Sequence, residues 1–224
     1  VDGPVLEKGF ESFVGMHPVP LVHGMTIAEY ANMINGEKWL KNGLQCKIEY
    51  VPVRGYTHSD LYKLPEKPSP NLRSMNAIFL YPSLCLFEGT NLSVGRGTEK
   101  PFEMVGCPNS LLGSYAFVPV SSAGAKKPLY ENQVCKGFNL SEAGEEILIS
   151  RALNLSWLIN FYKAAENKDK FFNDFFNKLA GNSTLKHQIV NGKTESEIRQ
   201  SWQVDLEKFR QIRKKYLLYP EFNN

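Results

Sequence analysis

Apolar residues recur at spacings of three and four through the last third of the chain. Leu153, Trp157, Leu158, Phe161 and Tyr162 form one stripe, and Phe171, Phe172, Phe175, Phe176 and Leu179 form another. A third runs through Ile198, Trp202, Leu206, Phe209, Ile212 and Tyr216. It opens at Thr194–Glu197, a Thr-x-x-Glu box in which each side chain satisfies an orphan backbone N–H of a helix start. This spacing predicts helices from about residue 142 onward, with the stripes as core. A second capping box, Thr26–Glu29, precedes Ile27, Tyr30, Ala31 and Ile34 on one helical face, with Gly36 or Gly43 as the stop. CKIEYVPV (46–53) alternates apolar and polar residues and predicts a strand. A helix leading into a strand suggests the closing unit of an α/β domain.

Elsewhere the pattern is weaker. Residues 1–25, rich in glycine, proline and aromatics, read as ordered loop. Residues 54–72 are proline-rich and lack periodicity, which predicts a domain boundary there. A helical run from Arg73 meets Pro82, which lacks an N–H and should kink or restart it. Residues 101–140 read as strands and turns, with SYAFVPV (114–120) and QVCKGFNL (133–140) the best strands. The fold class is therefore α/β. The tail of one domain (1–57) is followed by an α+β domain (58–224) whose end is helical.

Composition narrows the function. The 224 residues are 42% hydrophobic and 12% aromatic, which suits a globular chain with a sizeable core. A net charge of +3, dispersed along the sequence, argues against nucleic acid as a partner. No apolar run approaches the roughly 20 residues of a membrane span. The opening VDGPVLEKGF has no Met and no basic-then-apolar pattern. No signal peptide is read in it, and further residues upstream are expected. The four cysteines (Cys46, Cys85, Cys107, Cys135) form no CxxC and read as buried free thiols. His17, His23, His58 and His187 have no metal-binding spacing. No metal and no cofactor are expected.

The segment from Pro68 to Glu103 carries the candidate chemistry. Glu88 closes the apolar run LCLFE just before Gly89, a candidate helix C-cap. A carboxylate there faces the negative end of the helix dipole among apolar neighbours, and both effects favour its protonated form, as a general acid requires. A structural pairing of Glu88 with Arg96 is the competing reading. The loop GTNLSVGRGT (89–98) follows. Its glycines permit tight turns and close backbone approach. Thr90, Asn91, Ser93 and Thr98 offer hydrogen bonds to a polyhydroxylated ligand, and Arg96 offers a bidentate fork to a carboxylate. The loop is neither a phosphate-binding loop nor a dinucleotide fingerprint. His23, just ahead of a helix N-terminus, is positioned to line a cleft.

Three stretches, PSPN (68–71), YPSLCLFEGTNLSVGRGT (81–98) and PFE (101–103), resemble the signature of the bacterial exo-β-N-acetylmuramidases, a family long catalogued as a domain of unknown function. GPVLEKGFESFVGMHPVPLVHGMTIAEYA (3–31), the VCKG at 134–137 and SWQVDLEKFRQIRKKYLLYP (201–220) are similar to its central segment, a later motif and its C-terminal helix. The resemblance implies a Rossmann-like first domain, of which residues 1–57 are the tail, packed against a second α/β domain. The family's Glu-His-Gly motif has no counterpart here, and residues 106–114 are shorter than usual.

The implied activity is release of N-acetylmuramic acid from the non-reducing end of peptidoglycan fragments, with a muropeptide or disaccharide as partner and the cell envelope, periplasmic or secreted, as location. The competing class is a carbohydrate-binding or scaffold protein without catalysis. Glycoside hydrolysis commonly uses two carboxylates, or one acid with help from the substrate's acetamido group. Glu88 is the catalytic candidate, and Glu11, Glu103 or an upstream residue its partner. Arg96 complements the lactyl carboxylate of N-acetylmuramic acid. Asn71, Asn91, Thr90, His23 and Glu11 complete the substrate-binding set. Oligomeric state and stereochemistry stay open at this stage.

Overall fold

A computed structural model describes residues 1–221. The chain opens with a β-hairpin, β1 (Asp2–Val5) against β2 (Pro20–Val22), where the sequence read as loop. These strands are short and interrupted by proline and glycine, so neither shows the alternation that marks a strand.

Helix α1 (Ile27–Gly36) starts at the expected capping box, with Thr26 and Glu29 satisfying each other's backbone N–H groups, and ends at Gly36. Its inward face differs from the expected one. Glu29 and Met33 are fully buried, whereas Ile27 is 90% exposed. The Glu29 carboxylate turns inward because the chain brings it His58 and the Leu218 N–H as donors.

The predicted strand at 46–53 does not form. These residues are irregular and largely exposed, and Val51 is 94% exposed. Alternation makes a strand only where a neighbour takes up its N–H and C=O groups, and no described strand lies alongside it.

Helix α2 (Met75–Leu84) is capped by Ser74 and runs through Pro82 before tightening into a 3₁₀ turn, Cys85–Gly89. The switch to 3₁₀ geometry thus falls three residues beyond the proline. Three antiparallel strands follow, β3 (Met104–Cys107), β4 (Tyr115–Phe117) and β5 (Cys135–Asn139), in the order β3-β5-β4. β4 and β5 lie inside the two segments the alternation marked. Gly106 and Gly137 face each other in this sheet, where a Cβ on either would run into the opposing backbone.

The remainder is helical: α3 (Gly144–Ser150), α4 (Ser156–Ala164), α5 (Phe176–Ala180), α6 (Thr184–Val190) and α7 (Glu195–Lys214). The apolar stripes are core as expected. Leu158, Phe161, Tyr162, Phe171, Phe172, Phe176, Ile198, Trp202 and Leu206 pack with Leu80, Leu84, Phe87 and Val105 in one cluster. Phe175 departs from its stripe and is exposed. The fold is mixed α/β, with the 3₁₀ turn and the extended 90–94 segment lodged between the sheet and the helices.

Candidate functional site

The extended segment after the 3₁₀ turn organises the site. Ser93 exchanges both backbone hydrogen bonds with Gly106 on β3 (2.8 and 3.0 Å), and Asn91 N–H donates to the Phe171 carbonyl (2.9 Å). Gly89 closes the turn by proximity rather than as a left-handed cap. A Cβ there would run into the backbone of Phe176 at the start of α5. Past the segment, Gly95 and Gly97 adopt φ of +75° and +83°, which glycine accepts without strain. The chain thereby doubles back and brings Arg96 over Glu88.

Arg96 Nε donates to Glu88 Oε1 at 2.6 Å. The guanidinium lies over the Phe102 ring, 5.0 Å from its centroid. Both side chains are partly exposed, at 35% for Arg96 and 24% for Glu88. The Glu88 carboxylate is thus a paired anion at a cleft wall, not the isolated acid in an apolar setting that the sequence argument described. The hydrogen bond to Glu88 uses Nε alone. Thr90, Leu92, Ser93, Val94 and Leu129 complete this cleft, of about 130 Å³. Thr90 lines it but spends its hydroxyl internally, donating to the Phe87 carbonyl (2.7 Å) and accepting from Leu92 N–H (3.1 Å).

The other expected residues lie apart. Asn91 opens on a neighbouring cavity of about 380 Å³, and Leu92 lines both. Asn71 is buried, donating from Nδ2 to the Gly124 carbonyl (2.8 Å), and ties two loops together. Glu103 is buried, with Ser74 Oγ at 2.6 Å and Asn76 Nδ2 at 2.9 Å on its two oxygens, so it anchors the start of α2. Glu11 is an exposed loop residue whose carboxylate accepts from Gly9 N–H (2.7 Å). Neither Glu11 nor Glu103 lines the cleft with Glu88, and among the described residues no second carboxylate does.

His23 lines a third cavity, of about 310 Å³, with His17, Tyr30 and Lys178. Its ring stacks on Tyr30 at 5.0 Å, and His17 Nδ1 meets the Tyr30 hydroxyl at 2.8 Å. Burial pushes both imidazoles below their ordinary value. Among the described residues no group of three or more His, Cys, Asp or Glu is placed to hold a metal ion. No described helix is long and apolar enough to cross a membrane.

The sequence reading missed Leu129 and Tyr130, which close the two cavities beside the 90–94 segment. They belong to an irregular loop in which Tyr130 and Asn132 adopt positive φ, and no local sequence signal marks such a loop as a cavity wall.

The chain is 32% identical to the peptidoglycan β-N-acetylmuramidase NamZ of Bacillus subtilis (strain 168), over 98% of this chain and 56% of that protein. A crystal structure of a DUF1343 family protein from Bacteroides fragilis NCTC 9343 superposes with a TM-score of 0.96 at 45% identity, covering 99% of this chain and 63% of that one. A second DUF1343 structure from the same organism, at 22% identity and a TM-score of 0.65 over 98% of this chain and 62% of that one, shows the shared fold. The chain thus spans a little over half of the Bacillus relative. The model for the N-terminal part of the exo-β-N-acetylmuramidase NamZ matches residues 1–76, and the model for its C-terminal part matches residues 79–219. With both matched in order along nearly its whole length, the chain belongs to the NamZ exo-β-N-acetylmuramidase family.

Proposed function

We propose that this chain is part of a glycoside hydrolase that releases N-acetylmuramic acid from the non-reducing end of peptidoglycan fragments in the cell envelope. The observation that carries the reading is the Glu88–Arg96 pair at the wall of one cleft, built by the motif that resembles the family signature. Arg96 holds Glu88 through Nε and presents its Nη edge to an anion. The lactyl carboxylate, which separates N-acetylmuramic acid from N-acetylglucosamine, supplies that anion. The cleft is smaller than the roughly 300 Å³ at which ligand pockets begin. In this reading Glu88 and Arg96 form one wall, and the other walls correspond to the part of the longer relatives that this chain does not cover.

Full-length protein assayed on a chromogenic N-acetylmuramide tests the reading. Glu88→Gln is expected to lose about 10²–10⁴ in kcat if Glu88 transfers the proton. Arg96→Ala is expected to raise KM by about 10- to 100-fold and to erase the preference over the matching N-acetylglucosaminide, the loss of one charge-assisted pair. Full activity in Glu88→Gln removes it from the chemistry, and an unchanged sugar preference in Arg96→Ala removes the lactyl contact. The ion pair itself favours a second reading, in which this surface binds saccharide without catalysis. Binding of N-acetylmuramic acid by full-length protein that shows no turnover would decide for it.

A further inference from the structure

Residues 44–53 run extended over the surface, with no turn or bend to interrupt them. Both ends of the stretch are held. At its start, Asn35 on α1 donates from Nδ2 to the Cys46 carbonyl (3.0 Å) and accepts from Cys46 N–H at Oδ1 (2.7 Å), while Gln45 Nε2 donates to the Asn35 carbonyl (3.0 Å). At its far end, Val53 N–H donates to the Tyr219 hydroxyl (3.0 Å). Lys47 Nζ reaches Glu49 Oε1 at 2.5 Å, a pairing of positions i and i+2 that strand geometry permits because alternate side chains share a face. Between the anchors, the backbone N–H and C=O groups of Lys47 to Val51 meet no partner among the described residues. Leu44, Tyr50, Val51 and Val53 are exposed, as are Leu61 and Tyr62 past the next turn. A strand edge left bare between apolar side chains is a template for pairing, and native proteins cover such edges or blunt them.

The two sides of this edge differ. In a strand, the N–H and C=O of one residue point to one side and those of the next residue to the other. On the side of the even-numbered residues, Asn35 already occupies both groups of Cys46, and Pro52 has no N–H to give. On the other side, Lys47, Glu49 and Val51 keep both donor and acceptor. We propose that residues 47–51 pair through this second side, with Lys47, Glu49 and Val51 as the ladder residues, and that the occupant is a β-strand from the polypeptide that the longer relatives carry beyond the span of this chain. The length of those relatives supplies the occupant. The matches take in nearly all of this chain but little more than half of the Bacillus protein, and the Bacteroides structure keeps this chain's backbone course while holding additional polypeptide of its own. The added strand forms main-chain hydrogen bonds along the edge, and its side chains cover the apolar ones beside it. The anchors register that strand against α1 through Asn35 and against the segment after α7 through Tyr219. The proposal uses no residue of the Glu88 cleft and does not depend on the muramidase reading.

The test is hydrogen exchange of the full-length protein, resolved residue by residue. The Lys47, Glu49 and Val51 amides are expected to exchange roughly 100-fold or more below the rate of an unstructured chain, and Ile48 and Tyr50 less than about tenfold below it. This protection is expected to be the same at all protein concentrations. Glu49→Pro removes a donor from the paired side, so it is expected to release Lys47 and Val51 to fast exchange and to lower the thermal midpoint. Glu49→Gln keeps the N–H and is expected to keep the protection. Fast exchange at Lys47, Glu49 and Val51 in the wild-type protein would overturn the proposal, as would equal or greater protection of Ile48 and Tyr50. Protection that grows with protein concentration would also overturn it, because it assigns the edge to a second copy of the chain. Where Glu49→Pro fails to fold, the wild-type pattern decides alone. Failure of the muramidase reading looks different: hydrolysis is absent while the alternating protection persists.

Discussion

Glu29 shows how a single side chain departs from its sequence pattern. Burial pushes this carboxyl up, but hydrogen bonds from the Leu218 and Thr26 N–H groups, from His58 and from the Thr26 hydroxyl outweigh burial and hold it below its ordinary value near 4.5. A carboxyl depressed in the folded state contributes stability above its unfolded value, and that contribution disappears as pH falls through the folded one. Chemical denaturation is therefore expected to show stability falling as pH drops below about 4.5. Glu29→Gln should be about 1–3 kcal/mol less stable at neutral pH and lose less on acidification. An equal acid slope in the two proteins would remove Glu29 as the source. The capping half of this arrangement was legible in Thr-x-x-Glu. The inward turn was not, because His58 and Leu218 are remote in sequence. The cysteines divide similarly. Burial pushes Cys85 up to about 12 and Cys135 up to about 11, whereas Cys46 is exposed rather than buried as expected. Thiolate is the reactive form, so iodoacetamide should label Cys46 in the native protein and reach Cys85 and Cys135 only on unfolding. Native labelling of Cys85 by mass spectrometry would contradict that burial.

At the scale of elements, local signals succeeded where an element is held by its own residues. Both capping boxes form, and the stripe of α7 buries Ile198, Trp202, Leu206 and Phe209. The 46–53 strand failed because pairing belongs to two segments, and alternation in one of them cannot supply the other. The candidate site falls between these cases. Glu88 and Arg96 are eight positions apart, so a turn with two glycines was enough to suggest their pairing. The packing that fixes them was not visible. The 3₁₀ turn abuts α5 at Gly89, where a side chain has no room because Phe176 occupies the space. Gly89→Ala is expected to push the turn and α5 apart at a cost of about 1–3 kcal/mol, the range of an overpacked core. Because the turn carries Glu88 and the segment after it carries Arg96, activity should fall with stability. Thermal unfolding and kcat/KM measured together check this, and a Gly89→Ala protein with a wild-type melting temperature would show that α5 yields without effect.

Across the whole molecule, the last helix clasps the first strand. Arg199 on α7 donates to both carboxylate oxygens of Asp2 (3.0 and 2.8 Å) and to the Leu153 carbonyl, while Asp2 also accepts from Leu153 N–H (2.7 Å). Further along, Arg213 Nε donates to the Gly24 carbonyl (3.1 Å), the Tyr216 hydroxyl to Glu37 (2.7 Å) and Leu218 N–H to Glu29 (2.8 Å). All these N-terminal partners lie in the segment matched by the N-terminal family model, and the C-terminal ones in the segment matched by the other. The clasp thus ties the two matched segments together. Sequence patterning could not announce it, since Asp2 and Arg199 are 197 positions apart and each reads alone as a surface charge. Their side chains are 11% and 25% exposed, so the pair is only partly screened. Removing one partner leaves the other charge poorly solvated, at about 2 kcal/mol once the cost for a fully buried pair is discounted for this exposure. Arg199→Met keeps the aliphatic packing on α7 and removes the charge. Hydrogen exchange should then accelerate roughly 30-fold at β1 and β2, the factor that about 2 kcal/mol corresponds to, while α2 and α4 keep their protection. Uniform acceleration throughout would mean instead that the clasp supports global stability and the two segments unfold as one cooperative unit.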